Sequence, residues 1–335
     1  MRIGRRKFGT FLLAGLSTAC TIGAPRATAA KESLHWPLFK TRFLDSSGRI
    51  VDTGNNRISH SEGQGYGMVL AVKAGDRPAF DKIWRWTKNN LRQGGNPLFA
   101  WRYDPRLPQP VSDPNNATDG DLLIAWALGE AGQVWGVPSL LTEARVIRKA
   151  VLARLTVDLG GLKLLLPGEK GFLREGAATL NPSYYVWPAL ESFARVAPGE
   201  GWQQIIIDGS AFLTRARFGP AGLPTDWVEM LDTGEVRPAP DREPRFGFDA
   251  VRVPLYAALA GRSGLARPVT EYWRSRLAAG AFVPAWVDVK TGEVAEYSAS
   301  EGVLAIVSLV TGTPAGSSLS SDYYAAVLQS MAALR

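Results

Sequence analysis

Apolar residues recur at helical spacing along most of this chain, and turn-forming residues interrupt them at intervals. The pattern predicts helices over 35–44, 62–74, 78–92, 119–135, 138–156, 183–196, 201–217, 247–261, 266–279, 298–311 and 320–334. Stretches rich in Gly, Pro, Asp and Asn, such as Gly94–Pro114 and Pro238–Pro244, read as loops. Short strands are expected near Lys163–Leu166 and Phe282–Val289. The helices do not all begin alike. Those starting near 62, 119, 183, 247 and 298 open with SEGQ, ATDGD, NPSYY, GFDAVR and YSASEG, while those between are plainly amphipathic. An all-α architecture of α/α barrel type explains the alternation: parallel inner helices gather their N-termini at one end, and outer helices return the chain. Six hairpins need twelve helices and eleven are visible; a helical solenoid is the alternative arrangement.

The first 30 residues stand apart. Arg5-Arg6-Lys7-Phe8 is a twin-arginine type start, an apolar run follows from Phe11, and Ala27-Thr28-Ala29 is a small-residue cleavage site. The segment therefore reads as an export signal, 1–30, ahead of a single domain, 31–335, and predicts a periplasmic or secreted product with no membrane span after cleavage. Cys20 offers a lipoprotein variant of this reading, with Ser17 where a lipobox usually has Leu. The alternative is an ordinary amphipathic N-terminal helix.

The leader carries five cations and no acid, so the chain's net charge of +7 leaves only +2 on the remainder. That balance gives no argument for nucleic-acid binding. The one cysteine lies in the leader, and the two histidines, His35 and His60, stand alone. No disulfide, cysteine metal site or histidine-rich zinc site is predicted. Eleven Trp, nine Tyr and thirteen Phe are unusually many; many belong in a core, but a surplus also suits a sugar-binding cleft.

The chemistry-bearing residues sit at predicted helix mouths. In Ser61-Glu62-Gly63-Gln64, Ser61 and Gln64 fit a capping box, which puts Glu62 in the first turn. Glu62 there either complements the helix dipole or serves a site. Gly63, Gly65 and Gly67 weaken the helix and open room for a substrate or a neighbouring helix. Asp119 and Asp121 flank Gly120; one is explained as a cap (Thr118 competes for that place), but paired acids repel unless something engages both. Metal ligation by this pair lacks a third hard ligand. Asp249 and Arg252, spaced i,i+3, form either a surface ion pair or a buried acid held ionised by its neighbour, and Phe246, Phe248, Val251 and Val253 favour burial. Tyr184 suits hydrogen bonding to a carboxylate or water, with a core tyrosine as the competitor. Trp101, in a loop, suits stacking on a pyranose face or covering the core. Acids at several separate helix mouths fit glycosidic cleavage, which needs two carboxyl groups in different protonation states.

These residues carry a family resemblance. Residues 117–135 match the signature of glycoside hydrolase family 8 throughout, and SEGQGYGM, NPSYY and FDAVR resemble that family's other site motifs in the same order. The resemblance implies an (α/α)6 barrel and an inverting mechanism on β-1,4-glycans. It places Glu62 on the general acid, Asp249 on the general base, Asp119 on the signature aspartate that grips the distorted sugar, and Tyr184 near the attacking water. Asp121, Trp101 and Arg252 complete the expected substrate-binding set. Within the family the chain is most similar to periplasmic endoglucanases that accompany bacterial cellulose synthases. That similarity implies a β-1,4-glucan chain as substrate, a cellulose synthase complex as partner, and no cofactor. Xylanase and chitosanase activity on the same scaffold, or a non-catalytic glycan-binding export factor, are the competing readings. The mature charge of +2 argues mildly against a chitosanase.

Overall fold

The computed structural model describes residues 35–314 and 316–335. The proposed leader, with Cys20, lies outside the described residues. Eleven α-helices form among them: α1 (Trp36–Phe43), α2 (Ser61–Lys73), α3 (Arg77–Leu91), α4 (Thr118–Val134), α5 (Pro138–Arg154), α6 (Trp187–Val196), α7 (Trp202–Arg215), α8 (Arg252–Leu259), α9 (Arg267–Ala278), α10 (Glu301–Thr311) and α11 (Tyr323–Ala332). Each answers to one predicted segment.

The helices α2, α4, α6, α8, α10 and α11 touch in that order around a ring, and α11 returns to α2. The others, α1, α3, α5, α7 and α9, pack outside them. This is the (α/α)6 barrel. Inner helices are buried on nearly every face: along α2 and α4 almost every residue through Val72 and Leu128 is inaccessible. Outer helices show one apolar stripe; α9 buries only Val269 and Trp273. Inner helices must therefore approach closely, and glycine permits it. A Cβ on Gly65 would meet Leu123 of α4, and one on Gly120 would strike Ser61 of α2. Both contacts join early turns, so α2 and α4 run parallel. The glycines of the SEGQGYG stretch thus make room for neighbouring elements.

The ring closes although a twelfth helix is absent among the described residues. Gly312 ends α10 with φ 80°, and Pro314 follows two residues later, which stops the helix. The return to α11 has no regular secondary structure through 312–314 and 316–322. Arg42 fastens it by donating to the carbonyls of Leu319 and Ser320.

Strands pair only in the connections. The expected strands appear as Leu162–Leu165, paired with Thr156–Leu159, and Val287–Asp288, paired with Arg245–Phe246. An unpredicted four-stranded antiparallel sheet joins Leu173–Arg174, Ala177–Leu180, Val228–Leu231 and Val236–Pro238. Glu229 lies buried in it, paired with Arg174 and Arg237. Leu180 stands opposite Val228, so the sheet delivers Asn181 and Asp226-Trp227 to the same end of the barrel. The predicted helices from 183 and 247 begin latest, four and five residues on. The segment from 183 opens as a 3₁₀ turn, Pro182–Tyr184, before α6, and the segment from 247 turns through Asp249 before α8 starts at Arg252.

Candidate active site

The site is organised around Arg252, the first residue of α8, whose side chain is only 3 % exposed. Its guanidinium reaches three carboxylates from three parts of the ring. Nη1 bonds Glu62 Oε1 of α2 and Asp119 Oδ2 of α4, the latter at 3.1 Å. Nη2 bonds Asp249 Oδ1 at 2.6 Å. A planar fork with several donors suits this sharing; an ammonium would not. The pair Asp249–Arg252 is thus a buried bridge at a helix mouth and not a surface pair.

Glu62 sits in the first turn of α2, as expected, but the cap differs. His60 is the N-cap, its Nδ1 accepting from the Gly63 N–H at 3.0 Å. That leaves the imidazole proton on Nε2, facing Asp52 at 3.5 Å. Ser61 is already helical, pressed against Gly120, with its Oγ unpartnered. Gln64 does not reach back: its Oε1 accepts from the Ile50 N–H at 2.6 Å and its Nε2 donates to Thr87 at 2.9 Å. A buried tertiary bond has overridden the local capping box. One turn on, Tyr66 donates its hydroxyl to Glu62 Oε1 at 3.1 Å and lies 2.5 Å from the Tyr256 hydroxyl of α8. These tyrosines fill the barrel axis beneath the acids.

Asp119 and Asp121 part company because two positions along a helix are about 200° apart. Asp119 faces the cluster, accepting from Gly120 N–H and Arg252. Burial pushes its carboxyl up to about 7. Asp121 turns to the opposite side, where Phe99 N–H and Asn116 Nδ2 occupy its two oxygens. It ties down the loop that carries Trp101, and the structure does not bring it together with the other acids. The expected caps at Thr118 or Asp119 are absent; Ala117 is the N-cap, and Thr118 Oγ1 donates to the Leu166 carbonyl.

Asp249 rests in the turn before α8. Asn181 Nδ2 donates to its Oδ2 at 3.1 Å, and Asn181 Oδ1 accepts from both N–H and hydroxyl of Ser183. Burial, and then the charges of Asp226 and Asp119, raise the Asp249 carboxyl well above its ordinary range, with Asn181 opposing. Tyr184 stands beside the cluster, the Arg252 guanidinium 5.8 Å from its ring centre. Burial and the Asp119 and Asp249 charges keep its hydroxyl protonated, and among the described residues that hydroxyl bonds no protein group.

Aromatic walls flank this floor. Trp101 accepts the Ser61 N–H through its carbonyl, which sets it beside the mouth of α2; the residue is 37 % exposed and its Nε1 donates to Asp113. Phe172 and Trp227 stack nearly parallel, 2° apart in plane, with Tyr184 next to Trp227. On the other side Phe248 stacks on Tyr324 at 4.3 Å, and Tyr324 donates to the Phe248 carbonyl. Phe248 was expected to help bury Asp249; it is 67 % exposed instead. A cavity of about 750 Å³ adjoins it, lined by Asp226, Arg245, Trp286 and Tyr297 among others. Sequence patterns missed Asn181, Asp226, Trp227 and Tyr66 as site residues. Asn181 carried a signal as part of the NPSYY helix start, and Tyr66 as part of SEGQGYGM; Asp226 and Trp227 carried none.

A groove walled by aromatics, with acids from separate helix mouths at its floor, is built to hold a sugar chain and exchange protons across a glycosidic bond; the class is a glycoside hydrolase. The chain belongs to the glycosyl hydrolases family 8, whose pattern matches residues 3–335. Among curated proteins it is 42 % identical to an endoglucanase of Cellulomonas uda, over 90 % of this chain and 83 % of that one. It is 40 % identical to a probable endoglucanase of Novacetimonas hansenii, over 91 % of this chain and 90 % of the relative. A crystal structure of an endo-β-1,4-glucanase from an Achatina fulica gut metagenomic library superposes with a TM-score of 0.85 at 43 % identity, covering 92 % of this chain and 98 % of the other.

Proposed function

We propose that this protein is an endo-β-1,4-glucanase that hydrolyses β-glucan chains with inversion, Glu62 acting as general acid and Asp249 as general base. One observation carries the assignment. Of the six carboxylate oxygens around Arg252, Glu62 Oε2 alone has no hydrogen bond among the described residues; His60 Nδ1, at 3.8 Å, is beyond hydrogen-bond reach. Three ionised acids around one guanidinium would leave two uncompensated charges in a buried site, so a retained proton is favoured. Oε2 accommodates it without breaking a bond, and it is the oxygen able to donate it. Asp249, bound by Arg252 and Asn181, receives the proton of the attacking water, which the Tyr184 hydroxyl orients. Asp119, rigid between Gly120 and Arg252, grips the sugar at the point of cleavage. Inversion requires the two carboxyls to stand roughly 6.5–9.5 Å apart, with room for that water.

The stereochemical course tests this reading. Single displacement on a β-linked substrate releases an α-anomer first, which proton NMR detects before mutarotation. An initial β-anomer would mean a nucleophile, with carboxyls only about 5–5.5 Å apart, and would end the mechanism. A screen on carboxymethylcellulose, mixed-linkage glucan, xylan and chitosan fixes the substrate; dominant turnover of either of the last two would overturn the glucanase assignment.

The leader reading extends the proposal. Residues 1–30 are removed on export, the mature chain begins near Ala30 or Lys31, and the enzyme works in the periplasm or outside the cell on glucan made by a cellulose synthase complex. Among the described residues no helix is long and apolar enough to cross a membrane. N-terminal sequencing of the exported form checks cleavage; a retained Met1 or a lipid on Cys20 counts against it.

A further inference from the structure

The turn that carries Asp249 has an unusual anchor. Asp226 Oδ1 accepts three backbone N–H groups of that turn, from Gly247 at 3.2 Å, Asp249 at 2.9 Å and Ala250 at 2.7 Å. The strand pairing that sets Leu180 opposite Val228 brings this residue to the site, and its own N–H bonds the Arg245 carbonyl. Among the described residues no Lys, Arg or His nitrogen lies within 4 Å of its carboxylate; Arg245 spends its guanidinium on Glu243 and on the face of Trp286. A neutral carbonyl oxygen could accept the same three N–H groups, though more weakly than a carboxylate does. The geometry of the turn therefore does not require the charge, which sits next to the residue whose basicity matters.

We propose that Asp226 is a positioning residue for the base: one oxygen clamps the backbone on which Asp249 stands, and the negative charge strengthens Asp249 as a proton acceptor. The inference rests on the reading of Asp249 as general base. The other groups facing Asp249 are Arg252 beneath it, Asn181 from the 3₁₀ turn, Asp119 from α4, and the hydroxyls of Tyr184, Tyr256 and Tyr324. Arg252 pulls toward ionisation and Asp119 pushes against it. Asp226 adds a second push from the side open to the groove. Its own carboxyl is raised to about 6 by burial, with the turn's N–H groups opposing. The two acids therefore titrate together.

Asp226→Asn separates clamp from charge, because the amide oxygen still accepts the three N–H groups. Removing a like charge lowers the pH at which Asp249 loses its proton, so the base stays ionised in more acidic solution. In kcat/KM against pH on mixed-linkage β-glucan, the acid limb is expected to move about one unit to lower pH. The weaker base lowers plateau kcat about 3- to 10-fold with KM unchanged. Asp226→Ala removes both functions and is expected to lose about 10²-fold in kcat at every pH, as a displaced base does. A folded Asp226→Asn enzyme whose acid limb overlays the wild type overturns the proposal. Should that variant lack a cooperative melt, ¹³C-carboxyl titration of the wild type decides: Asp249 is expected to titrate in two steps, one mirrored at Asp226, and a single independent step overturns it. Full activity of Asp249→Asn would instead refute the base assignment, whatever Asp226→Asn does.

Discussion

Glu62 and Asp249 share one guanidinium, and everything else around them differs. Glu62 stands within a regular helix. Its further partner is a neutral hydroxyl, from Tyr66, and one of its oxygens is free. Asp249 stands in a turn outside its helix, both oxygens are taken, and two more carboxylates crowd it. A free oxygen is where a proton can be held and handed over. Fixed oxygens among like charges make an acceptor that is aimed and basic. On the proposed assignment one cation serves two opposite acid–base tasks: Arg252 places both groups, and their private neighbours set the roles.

The sharpest way to break the comparison is to remove each carboxyl alone. Glu62→Gln and Asp249→Asn are both expected to lose about 10²–10⁴-fold in kcat on polymeric glucan. They should separate on an aryl β-cellobioside with a good leaving group, which needs no proton. Glu62→Gln recovers most of its rate there and Asp249→Asn recovers none; equal recovery would erase the distinction. Next comes the shared cation. Arg252→Lys retains charge but offers a point donor to three carboxylates, and about 10²-fold loss in kcat/KM is expected, with both pH limbs displaced. A change confined to one limb would show that Arg252 serves only one acid. Of the three acids, Tyr66→Phe takes a direct bond from Glu62 alone: about 10-fold lower kcat is expected, with the alkaline limb moving more than the acid limb.

The smallest effect is on stability. Asp119 and Asp226 have folded-state carboxyls raised to about 7 and about 6, and Asp121 and Asp249 are raised as well. The folded protein then binds protons more readily than the unfolded chain over the range between the ordinary carboxylate value and these raised ones, so stability falls as pH rises through it. Calorimetry is expected to give a higher Tm at pH 5 than at pH 8, by on the order of a few degrees, and Asp119→Asn should flatten the slope. Below about pH 4 the trend reverses, as Asp45, Asp76 and Glu229, whose carboxyls are held low by their hydrogen bonds and cations, become protonated.

The floor of the cleft was legible in the sequence, and of its aromatic walls only Trp101 was. Glu62, Asp119 and Arg252 lie in first turns of helices whose period is easy to read, so their placement follows from spacing. The same spacing hid the split between Asp119 and Asp121, which only the direction of the barrel axis decides. Gln64 failed as a cap partner because Ile50, fourteen residues away, offered a buried donor that local rules do not see. Phe248 looked like core because apolar neighbours surround it in sequence; the turn before Arg252 points it outward. Asp226 and Trp227 sit in a connection with no periodic pattern, and their position depends on pairing with a strand some fifty residues earlier. Eleven α-helices form among the described residues, as counted from the sequence, but the way the barrel closes between α10 and α11 has no signature in hydrophobic period.

That closure has a consequence for how the enzyme comes into being. The last inner helix seals against the first, α11 to α2, and Tyr324 fixes the Phe248 wall. Arg42 binds carbonyls 277 and 278 residues downstream. Such contacts carry a large loop-closure cost and form late. Every acid of the cluster precedes α11 in the chain, so the barrel around them closes only once α11 is in place.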